Sequence, residues 1–304
     1  MYRLLIIFSF VLFAVGLLGE ECKMTEGKTV MLNLVDELSY STVRLRCTCA
    51  DGSISIGTGF AMAFKEDKEK GLMIPVLLTN KHVVKNSVKV SFVLTELVGG
   101  RPSAGRFPIE LPVTESQWKA HPDQSVDLCA LPIGMILNAL KSQGKEVKIT
   151  YLPMGIIATT KDMDNMFQLD EVVMIGYPDA ISDEVNNQPI FRRGILATNP
   201  SLDYNGKKEF LIDIAAYNGS SGSPVFVYRE GVWYDRLRGG TMLMNRPQVI
   251  LIGVLHSGFE HKVDGTIIPV QIPTAISPVP RTFIPNNLGI VLKADRIRQM
   301  EQMF

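Results

Sequence analysis

A serine hydroxyl becomes a useful nucleophile only with three kinds of help. A base must take its proton, an acid must orient the base, and fixed donors must hold the charge that develops. The chain contains one stretch suited to the first role, YNGSSGSPVF, Tyr217 to Phe226, with LIDIAA before it and VFV after it. Gly219, Ser220, Ser221, Gly222, Ser223 and Pro224 are all turn formers, and a plain turn between two strands needs nothing more. The sharper reading is a turn that exposes one hydroxyl and aims two backbone N–H groups at one point, with glycine supplying the special backbone angles. Candidate bases are few, because the chain has four histidines: His82, His121, His256 and His261. His82 follows the apolar run of LLTNKHVV and sits at a strand end, where side chains from several strands can converge. His121 and His261 lie among polar and charged residues and read as surface positions, while His256 follows VILIGVL and reads as either a core histidine or a pocket residue. For the orienting carboxylate, Asp123 lies in the polar run HPDQS, whereas Asp127 opens DLCALPI and precedes apolar residues. A triad carboxylate must be buried and hydrogen-bonded, which favours Asp127.

The elements that would position these groups are short strands separated by turns. SIGTGFAMAF (55–64), IPVLLT (74–79), VKVSFVL (88–94), EVVMIGY (171–177), PIFRRGILA (189–197), EFLIDIA (209–215), VILIGVL (249–255) and GIVLKA (289–294) are apolar and bounded by Gly, Pro, Asn and Asp. MILNALKSQ (135–143) has helical spacing, and ADRIRQMEQMF reads as a closing helix with Asp295 near its start. Long helices never alternate with strands, so an all-β class of antiparallel barrels or sandwiches is expected and a parallel α/β sheet is not. VQIPTAISPVPRTFIP (270–285) carries four prolines and reads as a long loop, part of a Pro-rich stretch over 259–286.

Lys+Arg and Asp+Glu balance at 31 each, which gives no basis for a nucleic-acid partner. The chain begins Met1-Tyr2-Arg3 and continues through the uncharged run Leu4–Leu18. A basic start, an apolar core and small residues at its end fit an export signal over 1–19, or a membrane tether through Leu4–Leu18. The expected location is therefore outside the cytoplasm, periplasmic or secreted. Of the four cysteines, Cys22, Cys47, Cys49 and Cys129, none forms a C-x-x-C pair, and free buried thiols are expected over a staple. No metal or other cofactor is called for.

LLTNKHVV, DLCALPI and NGSSGSPVF, in that order and 45 and 94 residues apart, resemble the His, Asp and Ser blocks of trypsin-like serine peptidases. IGTGF, VVMIGYP, FRRGILA, LIGVLHSG and NLGIVLKADRI resemble further strands of that family, so the likeness runs from about Ser41 to the end. It is nearest to exported bacterial HtrA-like and glutamyl-endopeptidase-like members, without a PDZ-like segment. The resemblance implies two antiparallel six-stranded barrels, about 41–145 and 165–304, with a short C-terminal helix, after a lead segment at 20–40. It implies a serine endopeptidase in which Ser221 attacks a protein or peptide substrate, His82 is the base, Asp127 holds His82, and the N–H groups of Gly219 and Ser221 form the oxyanion hole. It also implies a specificity pocket lined by Ala215, Ala216, Leu255, His256, Gly258 and Gly289. Trypsin selects Lys and Arg with an acidic residue six positions before its serine; here that position is Ala215. Cleavage after small or medium apolar residues is expected, with cleavage after Glu as the rival should a bulge turn His256 into the pocket. A different class remains beside the enzyme: a trypsin-like scaffold without catalysis, serving as an exported or tethered binding or sensing module. An α/β-type carboxyl esterase does not fit the strand pattern.

Overall fold

The computed structural model describes residues 34–112, 117–264 and 281–304. The apolar run at Leu4–Leu18, the lead residues up to 33, Cys22 and the loop residues 265–280 lie outside the described residues, as does the His261 side chain. Among the described residues no helix is long and apolar enough to cross a membrane.

The chain builds two sheets in succession, antiparallel as the strand pattern predicts except for one short parallel pairing, Met62↔Leu152 and Ala63↔Pro153, in the first. The first has nine strands: β1 Thr42–Cys49, β2 Ile54–Asp67, β3 Leu72–Thr79, β4 Ser87–Val98, β5 Arg101–Leu111, β6 Lys119–Ala120, β7 Cys129–Pro132, β8 Val147–Lys148 and β9 Leu152–Pro153. Its main path runs β5-β4-β1-β2-β3-β7-β6, with β8 on β4 and β9 on β2. The second sheet is a closed six-stranded barrel, β10 Glu171–Gly176, β11 Ile190–Leu196, β12 Glu209–Asp213, β13 Pro224–Asp235, β14 Gly240–Asp264 and β15 Arg281–Lys293, joined in the order β10-β11-β12-β15-β14-β13. Helices are few and short: α1 Leu34–Ser39, α2 Lys81–Val84, α3 Gly134–Ser142, α4 Thr160–Asp164 and α5 Asp295–Glu301.

Strand alternation explains how the two sheets share one core. On β2, Phe60, Met62 and Phe64 point one way and Ala61 the other; on β3, Val76 and Leu78 oppose Leu77. Phe60, Met62, Phe64, Val76 and Leu78 meet Ile175, Phe226, Leu251, Val254 and Leu292 of the second barrel, with Ile297 and Met300 of α5 closing the cluster. Ala61 and Leu77 instead join Val43, Leu45, Val90, Phe92 and Leu131 inside the first sheet, and Phe210, Ile212, Val225, Ile252 and Val291 fill the second barrel. Because β2 and β3 are covered on both faces, their sequences read as apolar runs without clean alternation.

Three features depart from the sequence expectation. β5 forms although it contains two prolines and a glycine, because it ends the hydrogen-bonded path, where a missing N–H is tolerated. The β13–β14 ribbon continues past the barrel through Trp233↔Met242 to Asp235↔Gly240, over short apolar runs, VWY and TMLM, that charged residues and glycines interrupt. The Pro-rich stretch is not all loop: residues 281–285 continue β15 and pair with β14, Glu260 opposite Pro285. Cys47 and Cys129 are free and buried, and Cys49 is free and half-buried. Burial pushes the Cys47 thiol up to about 12 and raises that of Cys129, so both remain protonated and inert.

Candidate active site

His82 lies on α2, directly after β3. Asn80 caps the turn with extended backbone and donates its side-chain amide to the Asp127 carbonyl at 2.8 Å. Val83 and Val84 bury the back of the turn, and Gly57 of β2 makes their seat: a Cβ there would stand 2.5 Å from Val83 Cγ1. His82 is thereby fixed through its neighbours while its own side chain stays 46% exposed.

Asp127 grips the histidine twice. Its Oδ2 lies 2.5 Å from His82 Nδ1, and its Oδ1 accepts the His82 backbone N–H at 3.1 Å. Burial works to raise the Asp127 carboxyl. The hydrogen bonds and charge of His82, with a contribution from His256, outweigh it and hold Asp127 below its ordinary value. The carboxylate is therefore ionised at neutral pH and keeps Nδ1 as the donor.

The serine turn is held from the other side. Its carbonyls are all occupied: Asn218 O accepts from Asp179 N–H at 2.5 Å, Gly219 O from Thr58 Oγ1 at 3.0 Å, Ser220 O from Ser223 N–H at 3.0 Å and Ser221 O from Thr58 N–H at 2.8 Å. Of its N–H groups, Ser220 donates to Tyr217 O at 3.0 Å and Gly222 to Leu255 O at 2.8 Å. Among the described residues the Asn218, Gly219 and Ser221 N–H groups of this turn have no partner, and of these residues Asn218 is exposed, Gly219 buried and Ser221 half-buried. Two free donors separated by one residue, Gly219 and Ser221, in a turn whose carbonyls are all tied off are what an oxyanion site uses. Gly219 has φ +88°, and a Cβ there would stand 2.4 Å from Tyr177 O; Gly222 has φ +87° and would clash with Thr58 O at 2.0 Å. The glycines are thus demanded by close backbone approach as well as by dihedral angle.

Ser221 Oγ lies 3.5 Å from the His256 carbonyl oxygen and makes no hydrogen bond to His82. Catalytic hydrogen bonds of this kind are commonly long before substrate binds and tighten in the complex. His256 ties the groups into one neighbourhood. Its carbonyl adjoins Ser221, while its imidazole feels the charges of Asp127 and His82.

The residues expected to line a pocket fall into two pairs. Ala216 is 3.9 Å from where a Gly258 Cβ would be, and Leu255 fills the space over Gly289, whose Cβ would meet Leu255 Cδ1 at 2.6 Å. Ala215 is half-buried beside Ala216. The register between β14 and β15 shifts between Leu255 and Ser257, so His256 is the extra residue of a bulge. Its Nε2 lies 3.5 Å from Glu209 Oε1, a carboxylate that sequence reasoning did not single out. His121, expected at the surface, is 2% exposed, because its N–H bonds Leu128 O and its ring accepts from Asp123 N–H.

Burial lowers both His121 and His256 from the ordinary imidazole value of 6.5, in His256 against the opposing pull of Glu209 and Asp127. On unfolding each ring regains its ordinary affinity for a proton, so the unfolded chain binds more protons in the window just below 6.5. The stability these rings contribute is complete above that value and is lost as pH falls through the window. Urea midpoints should drop between about pH 7 and about pH 5, and the slope should flatten when His121→Gln and His256→Gln are combined.

The trypsin-like peptidase domain model matches residues 57–233, more than half of the 304-residue chain. No curated protein sequence matches. Among solved structures, the HtrA-type protease AlgW with a tripeptide is 16% identical with a TM-score of 0.47, over 88% of this chain and 61% of its own. The serine endoprotease from Yersinia pestis is 16% identical with a TM-score of 0.42, over 87% and 63%. The Rv3671c protease from M. tuberculosis in its active form is 16% identical with a TM-score of 0.41, over 93% and 92%. The chain spans about three fifths of the first two of these relatives. The family match covers β2, α2, β7 and the Ser221 turn, and on it the chain belongs to the trypsin-like peptidase domain family.

Proposed function

We propose that the protein is a serine endopeptidase in which Ser221 attacks the scissile carbonyl, His82 takes and later returns the proton, and Asp127 orients His82. The Gly219 and Ser221 N–H groups would receive the oxyanion. The observation that carries this reading is the bonding pattern of the serine turn. Every carbonyl from Asn218 to Ser221 is paired, and past the exposed Asn218 the N–H groups of Gly219 and Ser221, separated by one residue, are left free. A scaffold kept only for binding has no need to leave two donors unpaired beside a serine and a His–Asp pair. The rival, an inactive exported or tethered module, lacks a comparable supporting feature. In this reading the peptidase domain runs from 41 to 304, with halves at about 41–145 and 165–304. Residues 1–19 serve export or tethering and 20–40 form a lead segment.

For specificity, the absence of a carboxylate at Ala215 and Ala216 argues against Lys or Arg at the cleaved position. Such a side chain would be buried without a partner, at a cost on the order of several kcal/mol. Leu255 itself packs in the second-barrel core, and the half-buried Ala215 and Ala216 support an apolar wall. Glu209 Oε1 already stands 3.5 Å from His256 Nε2, which makes no hydrogen bond, and burial disfavours the charged ring, so a substrate glutamate would bring a second carboxylate to a ring poorly placed to pair with it. We expect cleavage after Ala, Val or Leu. A peptide library varied at the cleaved position, read by mass spectrometry with the full chain, should show this preference. Dominant cutting after Glu would assign His256 to the pocket, dominant cutting after Arg would contradict the pocket assignment, and no cutting of any peptide would favour the scaffold reading.

A further inference from the structure

Thr58, the middle residue of the GTG run on β2, is fully buried and makes five hydrogen bonds with three separate segments. Its N–H donates to Ser221 O at 2.8 Å, and its carbonyl accepts from Thr79 Oγ1 at 2.7 Å. Its hydroxyl donates to Gly219 O at 3.0 Å and accepts from Tyr177 N–H at 3.2 Å and from Ser223 Oγ at 3.1 Å. A threonine hydroxyl has one proton and two lone pairs, so all of its capacity is used.

The pattern is directional. Thr58 holds the carbonyls of Gly219 and Ser221, which belong to the peptide planes directly after those that carry the free Gly219 and Ser221 N–H groups. Asp179 N–H holds Asn218 O, the carbonyl of the peptide that carries the Gly219 N–H. The hydroxyl also joins the serine turn to Tyr177, whose carbonyl sits where a Gly219 Cβ would be, so turn and loop share one anchor. Neighbouring glycines keep room for this arrangement. A Cβ on Gly176 would stand 2.0 Å from Ser223 Oγ and 2.7 Å from Thr58 Oγ1. Ser223, itself fully buried, has Thr58 Oγ1 as its side-chain partner.

We propose that Thr58 is a positioning residue of the active site, a strut from the first sheet whose hydroxyl anchors both the Gly219–Ser220 peptide and the Tyr177 loop, and through that loop's Asp179 N–H the Asn218–Gly219 peptide that presents the Gly219 N–H. The inference rests on the peptidase reading for its kinetic consequence but not for its structural one. Both effects follow from one removal. Valine at this position keeps the shape and buries no hydroxyl, yet it leaves Gly219 O, Tyr177 N–H and Ser223 Oγ without their partner. The Gly219–Ser220 peptide and the Tyr177 loop then lose their shared anchor, the Asp179 N–H bond to Asn218 O loosens with the loop, and the Gly219 N–H leaves the oxyanion position for part of the time.

The test uses the full chain with Thr58→Val and Thr58→Ser. Removing an oxyanion donor outright typically costs about 10²–10³ in kcat, and a loosened donor should cost part of that. Thr58→Val should therefore lower kcat by about 10- to 100-fold with KM changed by less than about 3-fold, and weaken a peptide aldehyde inhibitor in parallel. Thr58→Ser, which restores the hydroxyl without the methyl, should recover most of the loss. Amide hydrogen exchange over residues 217–224 reads the same strut without turnover. Thr58→Val should speed exchange there by about 10-fold or more relative to the second-barrel core, and Thr58→Ser should not. If Thr58→Val fails to fold, the same two readouts on Thr58→Ser and Ser223→Ala decide, with Ser223→Ala expected to show a smaller change of the same kind. Unchanged exchange in Thr58→Val, or equal impairment by valine and serine, would overturn the proposal. Altered exchange in a chain that cleaves nothing would support the strut while contradicting the peptidase reading.

Discussion

Replacing Ser221 by alanine should reduce kcat by about 10⁶-fold and leave the fold intact, because members of a nucleophile–base–acid set act as a unit. The stability cost should be small. Ser221 is half-buried, and its hydroxyl makes one 3.5 Å contact, to His256 O, so its loss should move the unfolding free energy by no more than about 0.5 kcal/mol. His82→Ala should lower kcat to a similar level, and the double variant should be no worse than either single one. Steady-state kinetics with a cleaved library peptide, together with thermal unfolding, checks both parts. A variant that loses activity because it has unfolded would show it in the melt. Near-full turnover by Ser221→Ala would remove the serine from the chemistry.

The second large effect belongs to Asp127→Asn, for which a loss of about 10⁴-fold in kcat is expected. The geometry says why an almost isosteric change is so costly. Asp127 Oδ1 accepts the His82 backbone N–H at 3.1 Å, and Oδ2 faces Nδ1 at 2.5 Å. In the asparagine the remaining oxygen is claimed by the backbone N–H, so the amide NH₂ faces Nδ1. The ring must then accept at Nδ1 and carry its proton on Nε2, where it cannot take one from Ser221. The His82 backbone bond survives, so folding should be preserved. A pH–rate profile separates this account from general damage. Turnover should partly return at high pH, where hydroxide replaces the missing base, and a flat deficit across pH would contradict the tautomer argument.

How far the sequence could be read depended on what each residue had to satisfy. His82 and Asp127 stood out because a polar residue at the end of an apolar strand demands a partner, and each supplied the other's. The six strands of the second barrel were legible in their apolar segments, since alternation and turn residues are local signals. β5 was not, because proline and glycine hide a strand whose place at the end of the path forgives them. The bulge at His256 was invisible, as a shift of register leaves no mark on composition. His121 read as surface from its polar neighbours, yet two backbone bonds bury it. Thr58 illustrates the same limit. GTG could be noted as a family-like run, but its meaning lies in contacts with Gly219, Ser221 and Ser223, more than 160 positions away along the chain.

An activated Ser221 beside an oxyanion site should be open to covalent capture. The direct test is reaction of the full chain with a fluorophosphonate probe, followed by mapping of the modified peptide. A single phosphonylated residue is expected within YNGSSGSPVF, at Ser221, with labelling abolished by Ser221→Ala and by His82→Ala in folded protein. Labelling that persists in Ser221→Ala, or a folded wild-type chain that takes up no probe, would contradict the assignment of Ser221 as nucleophile.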